Sequence, residues 1–461
     1  MINEFDTIAA IATAVSNAGI GIIRISGSEA MEILVKIFEP YNKKADVYQL
    51  ENHRIYYGNI KDGEEVVDEC IVLIMKGPHS YTKEDVVEID CHGGVTVVYK
   101  VLNLVLKNGA RAAEPGEFTK RAFLNGRIDL SQAEAVMDLI DSKNEMARKN
   151  SMTQLKGGLS DKIKQLREEI IYQIAFIESA LDDPEHYSLD GFPEKLLEED
   201  KKWITIAKEM LDSYDNGRII AEGIRTCIVG KPNAGKSSFL NALLGEERAI
   251  VTDIAGTTRD TLEESVTIDG ITLNIVDTAG IRDTEDIGVE RAKKEIESAD
   301  LILFLMDTSV QISEEDIEIL QRIRDKKKII LLNKSDKATE ESGFEQSALK
   351  EYISEETPVI SISAKYGDGI DNFIMELKNM MFHGRIDVNQ EVYITNARHK
   401  DALAKTYESL ECVERSIEAG MPEDFFTIDL MNAYEKLGLI IGESVEEDLV
   451  NEIFSKFCTG K

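Results

Sequence analysis

The feature that most constrains this chain is the eight-residue run GKPNAGKS that begins at Gly230. It matches the P-loop pattern G-x-x-x-x-G-K-[ST], and it lies between a predicted strand at 226–229 and a predicted helix at 238–244, which is the context that the pattern requires. Glycines let backbone amides close around phosphates, Lys236 neutralises phosphate charge, and Ser237 offers its hydroxyl to Mg²⁺. The run therefore predicts an α/β domain that binds a nucleoside phosphate. The residues expected to contact the nucleotide in this run are Asn233, Ala234, Gly235, Lys236, Ser237 and Ser238.

Further motifs at the ends of predicted strands indicate that the base is guanine. Asp336 ends the run Asn333-Lys334-Ser335-Asp336, and its carboxylate accepts hydrogen bonds from the guanine N1–H and exocyclic amine, donors that adenine lacks at those positions. The backbone of Ser363-Ala364-Lys365 donates to the guanine oxygen. Asp277-Thr278-Ala279-Gly280 brings Asp277 to the metal shell and the Gly280 amide to the γ-phosphate. The ordered set predicts a GTPase. Its contacting residues are Asp277, Thr278, Ala279, Gly280, Asn333, Lys334, Asp336, Ser363, Ala364 and Lys365.

The segment between the P-loop and Asp277 carries a predicted switch loop. Its hydroxyls include that of Thr258, which we assign to Mg²⁺ together with Ser237. Small switch GTPases place a water-orienting Gln directly after the glycine of this motif, but Ile281 stands there and cannot polarise water. An oxygen of Asn233 and loop carbonyls offer a site for a monovalent cation beside the phosphates, and the alternative for Asn233 is ordinary loop capping. The loop residues expected at the nucleotide are Thr252, Asp253, Ile254, Ala255, Gly256, Thr257 and Thr258.

Length, charge and cysteine usage limit the remaining possibilities. A chain of 461 residues is too long for one ordinary core. A net charge of −33 counts against an extended basic face for nucleic acid. The five cysteines have no C-x-x-C spacing, which favours a reduced, cytosolic protein, and no apolar run is long enough to span a membrane. Alternating short strands (20–25, 70–75 and 86–91) and a helix (95–107) predict a small α/β domain at the N-terminus, and long helical patterns flank the nucleotide-binding segment.

Long specific runs across the whole chain resemble the MnmE (TrmE) family of tRNA-modification GTPases, in the TrmE-Era-EngA-YihA-Septin-like superfamily. The runs are DTIAA from Asp6, GIIRISG from Gly21, YTKEDVVE from Tyr81, CHGG from Cys91, AEPGEFTKRAFLNG from Ala113 and the closing FCTGK from Phe457. The resemblance implies a P-loop GTPase domain (218–381) inserted into an α-helical bundle domain (119–217 plus 382–461). A small α/β folate-binding domain (1–118), which dimerises, precedes both.

The resemblance also implies chemistry and partners. The implied reaction, with the flavoprotein MnmG (GidA), forms a 5-carboxymethylaminomethyl or aminomethyl uridine at the tRNA wobble position, using 5-formyl- or methylene-tetrahydrofolate. The partner carries FAD and uses NADH, and the complex is a heterotetramer or larger. The implied folate-contacting residues are Arg24, Glu88, Arg127 and Lys461, and the implied K⁺ ligands are Asn233, Thr252, Ile254 and Thr257. Without the resemblance, Arg24 and Glu88 are ordinary strand residues and Arg127 is a solvated loop charge.

Two departures from the family pattern affect the site. Thr459 replaces an apolar residue beside Cys458, which is either a functional thiol or an unreactive helix-end residue. The segment after Gly280 is shorter than usual, and within it Glu285 is the best match to the family's water-orienting, catalytic acid.

Two other functions fit a GTPase of this size. One is a GTP switch in ribosome assembly with no modification chemistry of its own; the other is a membrane-associated GTPase. Neither a basic helix–GxxG–helix segment nor a basic amphipathic helix supports them. The window 101–150 is locally poor in negative charge, so its basic residues are candidates for meeting tRNA phosphate or the partner, the alternative being solvated helix faces. They are Lys120, Arg121, Arg127, Lys143, Arg148 and Lys149.

Overall fold

A computed structural model describes residues 6–42, 51–245, 249–251, 263–277, 294–337, 344–382, 392–443, 445 and 447–460. Its contacts group the chain into two compact units. The first comprises residues 1–137, 154–193 and 416–461, and the second comprises 138–153 and 194–415. The predicted borders of three domains stay a prediction. Among the described residues, no helix is both long enough and apolar enough to cross a lipid bilayer.

Strands and helices are numbered separately along the chain. The strands are β1 (Ile8–Ile11), β2 (Ile20–Ser26), β3 (Phe38–Pro40), β4 (Arg54–Asp62), β5 (Glu65–Met75), β6 (Val86–His92), β7 (Arg111–Ala112), β8 (Ile224–Val229), β9 (Ala249–Val251), β10 (Glu263–Ile268), β11 (Ile271–Asp277), β12 (Leu301–Asp307), β13 (Lys328–Asn333) and β14 (Val359–Ser361). The helices are α1 (Ala30–Ile37), α2 (Val95–Lys107), α3 (Glu117–Leu124), α4 (Leu130–Ile140), α5 (Glu145–Leu155), α6 (Gly158–Asp182), α7 (Phe192–Asp212), α8 (Tyr214–Glu222), α9 (Lys236–Leu244), α10 (Glu314–Arg322), α11 (Ile370–Phe382), α12 (Ala397–Glu418), α13 (Glu423–Ile441) and α14 (Glu447–Ser455).

The first unit contains a mostly antiparallel sheet with the strand order β3-β4-β5-β6-β2-β1-β7. Alternation along β5 buries Cys70, Val72 and Ile74 on one face, where α1 and α2 pack. The opposite face leaves Ile55 and Tyr57 exposed, because residues one position apart on a strand point to opposite sides. The predicted strands at 20–25, 70–75 and 86–91 and the predicted helix at 95–107 are confirmed.

Helices α6 and α13 pack against each other in the first unit. The apolar stripe of α13, with Phe426, Leu430 and Leu437 buried, supplies one side of this contact. Arg167 of α6 is also buried there, and its guanidinium lies 3.9 Å from the Tyr434 ring centroid. The chain therefore joins a helix that precedes the nucleotide-binding segment to one that follows it.

The second unit is built on a sheet with the order β14-β13-β12-β8-β11-β10-β9. The strands β14, β13, β12, β8 and β11 are parallel, and β10 and β9 form its antiparallel end. Every residue of β13 is buried, as expected where helices cover both faces of a parallel sheet. Strand order reverses at β8, and ligands of such sheets bind at the carboxyl ends of the strands beside this point. The P-loop follows β8 directly.

The tripeptide Asp215-Asn216-Gly217 is typical of a turn, and the first part of the predicted helical domain ends at Gly217. These residues lie inside α8, which continues to Glu222. Local preference favours a turn at Asp-Asn-Gly, but packing overrides it. A β-carbon at Gly217 would stand 2.1 Å from the Ile394 carbonyl oxygen. This glycine therefore permits close approach of another segment to a helix and does not end one.

Candidate functional site

The P-loop has the backbone geometry that its glycines make possible. Gly230 has φ of 150° and Gly235 has φ of 99°, values that side-chain-bearing residues rarely adopt. A β-carbon at Gly230 would lie 2.4 Å from the Leu305 carbonyl oxygen, and one at Gly235 would lie 2.2 Å from Asn333 Nδ2. Both glycines are therefore required by φ and by close contacts.

The phosphate-binding end of the site comprises the predicted lysine and serine. Lys236 begins α9, and its Nζ donates to the carbonyls of Gly230 at 2.6 Å and Lys231 at 3.0 Å. Ser237 and Ser238 follow in the first turn of α9 and are exposed. Amides at a helix N-terminus and an adjacent ammonium favour an anion such as a phosphate.

Two residues assigned to Mg²⁺ from the sequence belong to elements that follow or form neighbouring strands of the sheet, β8 and β11. Ser237 is in the first turn of α9, and Asp277 is the last residue of β11. Asp277 pairs in parallel register with Ile228, near the end of the strand that leads into the P-loop. Hydroxyl and carboxylate oxygens are donors that Mg²⁺ accepts together with phosphate oxygens. By residue type, Ser237 and Asp277 therefore suit a nucleotide-bound Mg²⁺.

The guanine-recognition residues predicted from two separate motifs are in contact. Ser363 donates a hydrogen bond from Oγ to Asp336 Oδ1 at 2.7 Å. Asn333 joins three parts of the site: its Nδ2 donates to the Ala234 carbonyl at 2.7 Å, and its Oδ1 accepts from the Ala364 amide at 3.0 Å. Asp336 itself is exposed, so its carboxylate is accessible to the donors of a base.

Sequence reasoning missed Asp307, which holds Lys334 in place. Lys334 Nζ lies 2.5 Å from Asp307 Oδ2, and Lys334 has a left-handed backbone with φ of 64°. Burial raises the pKa of Asp307, but hydrogen bonds from Lys334 and Ser309 outweigh burial, so this pKa lies below its usual value. A signal was present: the apolar run 301–306 leads to Asp307 just as the other strands lead to their motifs.

Asn233 stands in the P-loop with its side chain exposed and with φ of 66°. Asn is one of the few residue types that adopt this left-handed conformation at low cost. Across the parts of the chain that the structure describes, no group forms a hydrogen bond with the Asn233 amide. The side-chain oxygen is therefore accessible to a ligand, and the choice between a cation ligand and a loop cap stays a prediction, since residues 252–262 lie outside the described residues.

A second cluster, in the first unit, contains three residues of the expected folate set. Arg24 and Glu88 are directly opposite each other on β2 and β6, and Arg24 Nε lies 2.7 Å from Glu88 Oε1. Both side chains are 16% exposed. The Arg24 guanidinium lies 5.5 Å from the Tyr81 ring centroid and 5.7 Å from that of Phe118. The cluster thus combines a carboxylate, cations and aromatic rings.

Arg127 and the C-terminal segment join this cluster. The Arg127 guanidinium lies 4.4 Å from the Tyr81 ring centroid, and Arg24 Nη1 donates to the Gly460 carbonyl at 3.2 Å. The Gly116 amide donates to the Cys458 carbonyl at 3.1 Å, and the Cys458 thiol is exposed and unpaired. We define the folate cluster as Arg24, Tyr81, Glu88, Phe118, Arg127 and Gly460.

The structure contradicts the hypothesis that Arg121 meets tRNA phosphate. Arg121 is 5% exposed and is paired with Glu84 at 3.1 Å and Glu117 at 3.0 Å. Burial raises the pKa of Glu117, but hydrogen bonds from Arg111, the Glu114 amide and Arg121 leave it below its ordinary value. Part of the specific run AEPGEFTKRAF therefore forms a buried ion network and not a contact surface. Basic composition alone did not distinguish the two.

Several expected site residues lie outside the described residues. They include the proposed water-orienting acid, the switch-loop residues and the final lysine: Glu285, Thr252, Asp253, Ile254, Ala255, Gly256, Thr257, Thr258, Thr278, Ala279, Gly280 and Lys461. The predictions for them stand as made from the sequence.

Comparison with known proteins matches the chain to two family models. The model described as "GTP-binding protein TrmE N-terminus" matches residues 7–127. The model described as "MnmE helical domain" matches residues 130–458, a range that contains the nucleotide site.

Full-length relatives carry the same family name. A "tRNA modification GTPase MnmE" of Lachnoclostridium phytofermentans is 56% identical over 460 residues, covering 99% of this chain and 99% of that protein. Another, of Clostridioides difficile, is 49% identical over 464 residues with the same coverage of both. A solved structure of Aquifex aeolicus Era bound to GDP.AlF4⁻ is 28% identical over 40% of this chain and 66% of that chain. Its TM-score of 0.28 is too low to support an inference.

Proposed function

Because the chain belongs to the MnmE family of tRNA modification GTPases, we propose that K⁺ activates its hydrolysis of GTP. We also propose that it acts with the flavoprotein MnmG (GidA). The proposed product is 5-carboxymethylaminomethyl or aminomethyl uridine at the tRNA wobble position. The one-carbon unit comes from 5-formyl- or methylene-tetrahydrofolate. FAD and NADH belong to the partner, and a tRNA substrate places the proposed reaction in the cytoplasm.

The folate cluster is the observation that supports the one-carbon step best. A reduced folate offers glutamate carboxylates to guanidinium groups and a pterin edge with N–H donors to a carboxylate. Arg127 is exposed, and its guanidinium lies against the Tyr81 ring. Glu88 is held beside Arg24 at 2.7 Å, and the segment that leads to Lys461 bonds to Arg24. A ribosome-assembly switch without modification chemistry has no use for such a set.

Binding of 5-formyltetrahydrofolate tests this step. Arg127→Ala should weaken binding about tenfold, since a charge-assisted hydrogen bond contributes roughly 1.5–3 kcal/mol. Arg54→Ala is the matched control, because Arg54 is also an arginine of the first unit and its side chain is 64% exposed. Calorimetric titration of the full chain measures both. Equal folate affinities for Arg127→Ala, Arg54→Ala and wild type would remove the folate proposal and favour the switch alternative.

The accessible Asn233 side chain supports the proposed cation. A cation held by Asn233 beside the phosphates would supply positive charge where other GTPases use an arginine finger. The proposed ligand set is Asn233, Thr252, Ile254 and Thr257. Glu285 is the proposed catalytic acid that orients water, in place of the Gln whose position is taken by Ile281.

GTP turnover in K⁺ and in Na⁺ tests this cation. An arginine finger contributes roughly 10³–10⁵-fold, so we expect a large stimulation by K⁺ at equal ionic strength, with no activating protein present. Asn233→Gly should lose most of the stimulation and keep GDP affinity, because glycine tolerates the positive φ of this position and Lys236 is unchanged. Measured turnover that is the same in the two salts would show that K⁺ is not an activator.

An exposed apolar sheet face supports the proposed homodimer. Tyr41, Ile55, Tyr57 and Ile71 are between 40% and 68% exposed in the first unit, and the rings of Tyr41 and Tyr57 are 5.1 Å apart. Apolar groups clustered on a solvent-facing sheet commonly mark an interface. We propose that a second copy of the chain covers this face, and that MnmG joins the dimer in a heterotetramer or larger complex.

A further inference from the structure

The P-loop contains a second lysine, Lys231. Its side chain is paired with residues at the start of α10, a helix that contains no nucleotide-binding motif. Lys231 Nζ lies 2.7 Å from Asp316 Oδ2 and donates to Ser313 Oγ at 2.9 Å. The Asp316 side chain is 3% exposed and the Lys231 side chain is 18% exposed. The pair is therefore largely removed from water, unlike surface ion pairs that solvent and salt weaken.

Asp316 already has a structural role at the start of α10. It and Ser313 form a capping box: the Ser313 amide donates to Asp316 Oδ2 at 2.9 Å, and the Asp316 amide donates to Ser313 Oγ at 3.4 Å. A capping box satisfies the helix terminus without help from elsewhere. Lys231 adds a charge to it, and a buried carboxylate that loses a paired cation is strongly disfavoured. The ion pair with Lys231 is thus additional to the hydrogen bonds that cap α10.

The main chain of Lys231 connects the Lys231–Asp316 ion pair to Lys236, the phosphate-binding lysine. The Lys231 carbonyl accepts from Lys236 Nζ at 3.0 Å and from the Ala234 amide at 3.2 Å. At the other end of the loop, Asn333 Nδ2 donates to the Ala234 carbonyl at 2.7 Å. The P-loop is therefore held at two points, by Asn333 from the guanine motif and by Asp316 through Lys231.

We propose that Asp316 is a positioning residue for GTP hydrolysis, acting through Lys231 to hold the first turn of the P-loop in the conformation that receives the phosphates. This rests on GTP hydrolysis by the second unit. Asp316 touches neither nucleotide nor metal in this assignment. Its effect is to fix the orientation of the Lys231 carbonyl, and with it the position of the Lys236 ammonium, before the nucleotide binds. Preset groups bind a ligand without the cost of ordering them.

Two single variants and the double variant test the role of the Lys231–Asp316 ion pair in the full chain. Lys231→Met removes the ammonium and keeps most of the apolar stem, and Asp316→Asn keeps a capping oxygen and removes the charge. Lys231→Arg keeps the charge. Glu315→Gln is the matched control, since Glu315 is exposed, lies in the same turn of α10, and makes no hydrogen bond or ion pair to another described residue. The measurements are kcat and KM for GTP and the affinities for GDP and IDP.

Lys231→Met and Asp316→Asn should each weaken GDP binding about tenfold and lower kcat/KM for GTP similarly, with the double variant no worse than the poorer single one. The ratio of GDP to IDP affinity should stay at the wild-type value, because inosine differs only at the amine that Asp336 binds. Lys231→Arg should keep most of the activity, and Glu315→Gln should match wild type.

The proposal would be overturned if Asp316→Asn behaved as Glu315→Gln does, or if the two single effects added in the double variant. A changed GDP to IDP ratio would also overturn it, because the damage would then reach the base site. If Asp316→Asn does not fold, the comparison of Lys231→Met with Lys231→Arg tests the proposal: equal GDP affinities and equal kcat/KM for GTP in these two variants would contradict it. A wild type that binds GDP and does not hydrolyse GTP would contradict the proposed function, while the GDP affinities would still test the role of the ion pair.

Discussion

Two aspartates of the second unit, Asp307 half-buried and Asp200 fully buried, hold their carboxyl groups in different protonation states. Asp307 ends a strand at the nucleotide site and accepts hydrogen bonds from Lys334 and Ser309, which keep it charged. Asp200 of α7 is 0% exposed, and among the described residues neither of its carboxylate oxygens has a hydrogen-bond partner. Burial, reinforced by Glu414, raises the pKa of Asp200 to about 8. Asp200 is therefore protonated in the folded protein at neutral pH.

Asp200 should make the protein less stable as pH rises. The folded state keeps this proton up to about pH 8, whereas an unfolded Asp loses it near pH 4. Between these values the folded state binds more protons, so its stability falls with pH by up to about 1.4 kcal/mol per unit. Relative to wild type, Asp200→Asn should gain stability steadily across that range. Denaturation midpoints at several pH values measure it, with the exposed Asp212→Asn as control, and parallel curves for Asp200→Asn and wild type would contradict the assignment.

Elements of the fold were predictable from sequence wherever one local signal was enough. Apolar runs followed by motif residues placed β8, β11, β13 and β14, and the P-loop pattern placed the start of α9. Contacts between distant segments gave no such signal. Gly217 resembled a turn residue because Ile394, which approaches it, is far away in sequence, and Lys231 resembled a spacer because its partner is on α10. Arg121 carried the same charge as a phosphate-binding residue, and only the fold shows that carboxylates surround it.

The packing of α6 against α13 depends on a glycine facing an arginine. A β-carbon at Gly438 would lie 1.8 Å from Arg167 Nη1, and Arg167 is held there by the Tyr434 ring and by Glu443. Gly438→Ala should therefore displace the guanidinium and destabilise the helix pair by about 1–3 kcal/mol, the usual range for overpacking.

The reverse effect is expected once the arginine is shortened. In an Arg167→Ala background, Gly438→Ala should be neutral or stabilising by about 0.5–1 kcal/mol, because alanine is the better helix former. Thermal denaturation of the four proteins measures the cycle. Equal costs of Gly438→Ala in both backgrounds would mean that Arg167 is not the obstacle.

At the scale of the whole molecule, a chain with a net charge of −33 is proposed to act on a polyanion. General electrostatic attraction is therefore absent, and tRNA must be recognised locally or with the help of a partner. The candidate sites belong to different units: the nucleotide site is in the second unit and the folate cluster is in the first. The nucleotide site and the proposed folate site thus use different groups of residues, and a variant in one site should leave binding at the other unchanged.

Analysis of the wobble nucleosides of tRNA tests the central claim most directly. A strain that lacks this gene should lose 5-carboxymethylaminomethyl or aminomethyl uridine from its tRNA, and the wild-type gene should restore it. Asp336→Asn should fail to restore it, because charge-assisted hydrogen bonds to guanine of roughly 1.5–3 kcal/mol each are lost. Asp371→Asn, which changes an exposed aspartate of α11, should restore it fully. Unchanged wobble nucleosides in the strain without the gene would contradict the account.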